Sequence, residues 1–122
     1  MTYYKYFRRR TGPSGQTLLA GPFSYDTQLQ RAGDTAFVRG KLEMCDKGFH
    51  ACTARQWRRT FAKSFQGDWR VGVGELWAVQ LHGVQWFKSL GRGKVLARGC
   101  TMLRQIPYDS PEGRKLRWEI YL

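Results

Sequence analysis

The chain is poor in acid. Nine Asp and Glu stand against 21 Lys and Arg in 122 residues, a formal charge of +12. That balance excludes cationic partners and favours polyanions. Long apolar runs are also missing. No stretch approaches the roughly 20 apolar residues of a membrane span, and the opening "MTYYKYFRRR" has no apolar signal region. The expectation is a cytoplasmic protein with no membrane partner. Cysteine is scarce and odd in number: Cys45, Cys52 and Cys100. This argues against a disulfide framework and for reduced thiols. The histidines, His50 and His82, form no H-x-x-x-H pair, and the cysteines form no C-x-x-C pair, so no metal site is expected. Repeats, linkers and low-complexity segments are absent, which leaves a single domain over 1–122.

What is present suits a folded core. The chain is 42% hydrophobic and 15% aromatic, and a domain of this length buries roughly two-thirds of its unfolded surface. "TYYKYFRRR" alternates, with Tyr4 and Tyr6 on one face and Tyr3, Lys5 and Phe7 on the other, as a strand does. "TGPSGQ" is a turn, and "TLLAGPFSYD" holds a short strand broken at Gly21-Pro22. Loop and short strand are expected up to Cys45. Further on, "ELWAVQLHG", "VLARGCTMLRQI" (with a bulge near Gly99) and the closing "KLRWEIYL" read as strands. "QGDWRVGVG", "VQWFKSLGRGK" and "PYDSPEGR" read as loops. The expected fold is α+β: a mainly antiparallel sheet with one principal amphipathic helix packed on it.

That helix follows the stretch "KGFHACT". Phe49 to Cys52 form a short strand, and Thr53 with Gln56 has the capping-box spacing. Ala54, Trp57, Phe61 and Phe65 then share one helical face, with Arg55, Arg58, Arg59 and Lys63 away from it. Trp57, Phe61, Phe65, Trp77 and Trp118 are expected in the core. His50, Thr53 and Arg55 could surround a phosphate at the helix start. Cys52 near His50 could instead be an activated thiol, although no third orienting acid is evident. The plain reading is that Cys52 is a small buried hydrophobe.

The basic residues fall into clusters: Arg8, Arg9 and Arg10; Arg55, Arg58, Arg59 and Lys63; Arg92 and Lys94; Arg114, Lys115 and Arg117. Tyr4, Tyr6, Trp69, Trp86, Tyr108 and Tyr121 lie beside them. Cations interleaved with rings can follow a phosphate backbone and stack bases. No sequence-specific nucleic-acid signature is present.

The run from "KLEMCDKGFHACTARQW" through "GELWAVQLHG" to "KVLARGCTMLRQI" resembles a small, largely uncharacterised domain family of phages and prophages that carries a "GFHxC" strand. The resemblance implies a mobile-element origin and supplies no mechanism. A fainter one concerns layout: the Gly-His strand, the helix, "ELWAV" and "EIYL" are similar to the ADP-ribosyltransferase core. That would imply NAD as cofactor, with Arg8, Thr53 and Glu119 framing it, yet no acidic pair precedes Glu119. The favoured expectation is a non-enzymatic accessory protein without cofactor. It would bind nucleic acid, a ribonucleoprotein or an acidic protein surface, and interfere with a bacterial defence complex in the manner of an anti-CRISPR protein. The alternatives are an NAD-using enzyme with Glu119 as key acid, and a minor virion or assembly protein.

Overall fold

The structure, a computed structural model, describes residues 2–43, 47–85 and 94–118. It is α+β, a curled antiparallel sheet of six strands with one principal helix on it. The strands are β1 (Tyr3–Thr11), β2 (Thr17–Ala20), β3 (Thr35–Phe37), β4 (Phe49–Ala51), β5 (Gly74–Gln85) and β6 (Val95–Ile106). The principal helix is a continuous rod over 54–71. It consists of an α turn, α1 (Ala54–Gln56), a π-helical segment (Trp57–Phe61) and α2 (Ala62–Val71). A short α3 (Pro111–Leu116) follows β6.

The order across the sheet is β2-β1-β5-β6-β3, with β4 also paired to β6. All pairings are antiparallel. Just past β4, Cys52 exchanges both backbone hydrogen bonds with Tyr4, at 2.7 and 2.8 Å. That bridge joins β4 back to β1 and accounts for the curl.

Strand alternation then divides the core in two. Phe7, Phe49, Trp77, Val79, Leu96, Cys100 and Met102 pack inside the curl. Tyr4, Cys52, Leu76, Ala78 and Ile106 face Trp57, Ala62 and Trp69 of the helix, with Leu116 of α3. The inner core also holds an ion pair, Lys5 Nζ to Asp26 Oδ1 at 3.2 Å, with both side chains almost fully enclosed. Lys5 also donates to the His50 carbonyl at 3.0 Å, and Asp26 Oδ2 accepts from the Phe23 amide.

Several expectations need correction. "QGDWRV" is helical, because Trp69 is buried at the sheet and its Nε1–H donates to the Ile106 carbonyl at 2.9 Å, outweighing the low helix propensity of Gly67. The helix stops at Gly72, whose φ of 82° is left-handed and favours glycine. The bulge in β6 lies opposite Ala78/Val79, whose partners are Arg104 and Met102, so Leu103 is the extra residue and Gly99 stays in register with His82. Residues 111–116 of "PYDSPEGR" and "KLRWEIYL" form a helix. Ser110 caps it by accepting from the Gly113 amide, and Pro111 sits at the first position, where a missing N–H costs nothing. The strand expected over "KLRWEIYL" is therefore absent as far as Trp118, and its remainder, 119–122, lies outside the described residues.

Candidate nucleic-acid interface

The helix presents two unlike faces, and each borders a concavity. On its outer side the first turns face α3 across a broad groove of about 1270 Å³. Arg55, Arg58 and Arg59 line one wall; Arg114, Lys115 and Arg117 line the other. Clusters far apart in sequence thus share one surface. Their placement follows from local chemistry. Thr53 caps the helix by a two-way box: its hydroxyl accepts from the Gln56 amide at 3.1 Å, and its amide donates to Gln56 Oε1 at 2.9 Å. Trp57 is buried, so the helical period turns residues 55, 58 and 59 outward. Leu116 anchors α3 in the same core, so Arg114 and Lys115 point to solvent. Arg58 Nη1 donates to the Lys115 carbonyl at 3.4 Å and links the walls.

Among the described residues the groove contains one carboxylate, Glu112, and it is already occupied. Arg104 grips it with three hydrogen bonds of 2.8 to 3.1 Å, and the Tyr4 hydroxyl donates to it at 2.8 Å. Burial and that carboxylate together push the Tyr4 phenol up to about 12. Arg117 is held by Asp109 and lies over the Tyr108 ring at 3.8 Å. Arg55, Arg58, Arg59, Arg114 and Lys115 pair with no carboxylate among the described residues. Trp118, expected in the core, is 41% exposed at the groove, with the Lys63 ammonium 5.0 Å above its ring. Sequence reasoning put it in the core by reading a loop over 107–114 and a strand from Lys115, where Ser110-Pro111 starts a helix that runs to Leu116.

The other expected residues scatter. Arg9 pairs with Glu75, itself bonded to Trp77 Nε1, and Arg10 is exposed at the end of β1. Arg92 lies outside the described residues. Arg8, His50 and Lys94 border a second cleft, of about 350 Å³, on the inner side of the helix. His50 and Arg55 therefore border different spaces, and the Thr53 hydroxyl is engaged in its cap, so the structure does not gather the three around one phosphate. Of the NAD-framing trio, Arg8 borders the inner cleft, Thr53 caps the helix and Glu119 is outside the described residues.

Most of the flanking rings are core. Tyr4 and Trp69 are buried, Tyr6 and Tyr108 half-buried, and Trp86 and Tyr121 lie outside the described residues. Trp57 and Trp77 are buried as expected, Phe61 and Phe65 only partly.

His50 is buried, and its Nδ1 lies 3.0 Å from the Gly48 carbonyl, which can only accept. Nδ1 therefore carries the proton. Burial, then Lys94 and Lys5, lower its pKa to about 4, so the ring is neutral at pH 7. Burial raises the Cys52 and Cys100 thiols to about 12, the reverse of an activated nucleophile. Cys45 lies outside the described residues. No group of His, Cys, Asp and Glu among the described residues could hold a metal ion. No helix among them is long and apolar enough to cross a membrane.

Comparison with protein-family models, curated proteins and solved structures finds no match to this chain.

Proposed function

We propose that the protein is a binding module for the phosphate backbone of nucleic acid, free or within a ribonucleoprotein, and that the groove between the helix and α3 is its contact surface. The observation that carries this reading is the convergence of five cations, Arg55, Arg58, Arg59, Arg114 and Lys115, that have no carboxylate partner among the described residues, around Glu112, which Arg104 already holds. Arginine suits phosphate because its planar fork can donate two hydrogen bonds at once. Trp118, exposed at the groove, offers a face on which a base can stack, a contact of about 1–3 kcal/mol. The phage-type resemblance suggests the setting, interference with a bacterial defence complex that contains nucleic acid.

The test is fluorescence anisotropy with short labelled RNA and DNA, single- and double-stranded, over a salt series. Five phosphate contacts predict a slope of log K against log salt of about −3.5 for single strands. Absence of binding at low salt excludes nucleic acid as the direct partner.

A further inference from the structure

The inner cleft is distinct in chemistry from the groove. Tyr6, Trp57, Phe61 and Phe65 form its wall, with ring centroids 4.8 Å apart for Tyr6–Phe65 and 5.8 Å for Tyr6–Trp57. Two of these rings sit on the π-helical segment, a rare geometry that recurs at functional sites. Trp57 is 2% exposed, and its Nε1–H has no hydrogen-bond partner among the described residues.

The floor is an interrupted strand edge. Tyr4 turns its amide and carbonyl to Cys52, and Arg8 is in register with Ala20. Tyr6, midway, presents its amide and carbonyl to the same edge by strand alternation. Neither ladder reaches it, because the β2 side breaks at Gly21-Pro22, and Pro22 has no N–H to give. One donor and one acceptor therefore stand side by side next to a cluster of mutually stacked aromatic rings. The opening is one residue wide, too short for an added strand. Arg8 and Lys94 border the cleft without a carboxylate partner among the described residues, whereas Lys5 is neutralised by Asp26.

We infer that this cleft is a second binding site, for a nucleoside monophosphate. Its base would stack in the aromatic wall and meet the Tyr6 backbone with its donor–acceptor edge, and its phosphate would lie between Arg8 and Lys94. Each feature matches one part of that ligand: rings to the base plane, the amide–carbonyl pair to the base edge, and two cations to the phosphate. The volume is within the range of small-ligand pockets, about 300–1,000 Å³. The site shares no cation with the groove, so it stands or falls independently of backbone binding.

Isothermal titration calorimetry with adenosine 5′-monophosphate, adenosine and ribose 5-phosphate tests it. Saturable binding of the monophosphate is expected, at least tenfold tighter than either fragment. Arg8→Ala and Lys94→Ala should each weaken it about tenfold. Phe65→Ala should weaken the monophosphate and adenosine alike. Arg58→Glu/Arg59→Glu should leave it unchanged while weakening RNA binding. Arg8 is exposed, so its variant is expected to keep the parent melting temperature. The proposal is overturned by no saturable binding up to about 1 mM, by adenosine binding as tightly as its phosphate, by ribose 5-phosphate binding as tightly as the whole nucleotide, or by loss of monophosphate binding in the groove variant.

Discussion

At the scale of single residues, five buried side chains decide how the protein responds to its surroundings. His50 has a folded pKa of about 4 against an ordinary value of 6.5. Between those values the unfolded chain binds more protons, so stability rises with pH there. Its contribution is fully present above about pH 6.5 and is lost as pH falls to about 4. Melting temperature should fall across that window, and His50→Gln should flatten the fall. The Lys5–Asp26 pair lies wholly inside the curl. Removing one partner of such a pair strands a charge and costs about 3–5 kcal/mol. Urea denaturation of Asp26→Ala should show a loss of that size, and Lys5→Met/Asp26→Leu should recover much of it. The thiols of Cys52 and Cys100 are enclosed and raised to about 12. In a Cys45→Ser variant, a disulfide reagent at pH 8 should therefore react only after denaturant is added. Prompt labelling of the native protein would contradict that burial. The alternation of "TYYKYF" set Lys5 on one face with Tyr3 and Phe7 but did not show that this face is the inner one, nor that its partner is Asp26, which lies on a 3-10 turn after a break in pairing.

At the scale of elements, the helix start was legible and its end was not. Thr53 and Gln56 form both bonds of the capping box, as their spacing implied. Thr53→Ala should cost about 1 kcal/mol in chemical denaturation. The far end was hidden because Gly67 and Asp68 look like a loop, and only the burial of Trp69 against β6 keeps the rod going to Val71. Gly72 ends it in a left-handed conformation, so Gly72→Ala should cost about 1–2 kcal/mol, measured the same way. Alternation in "KLRWEIYL" pointed to a strand from Lys115, where Lys115 and Leu116 instead close the helix that begins in the expected loop at Pro111, because a short apolar pattern does not separate the two periods. Ser110 and Pro111 were the deciding signals. Gly113 fits there because a Cβ would stand 2.1 Å from the Pro107 carbonyl oxygen.

At the scale of the whole molecule, charge excess was plain in composition, but its geometry was not. Arg55 to Arg59 and Arg114 to Arg117 meet only because β5 and β6 return the chain to the helix start and Leu116 anchors α3 beside it. No local pattern encodes that meeting. Neither does the sequence show that Arg104 already holds Glu112, which leaves Arg55, Arg58, Arg59, Arg114 and Lys115 without a neutralising acid among the described residues. If the groove binds backbone phosphates, Glu119→Gln should leave nucleic-acid affinity unchanged, whereas an NAD-using enzyme would lose activity with that variant. The most direct measurement is single-stranded RNA affinity across a salt series for the parent and for Arg58→Glu/Arg59→Glu. The account predicts weaker binding at every salt concentration and a slope shallower by about one to two, with the melting temperature kept. Equal affinity and equal slope in the two proteins would contradict the assignment of this groove.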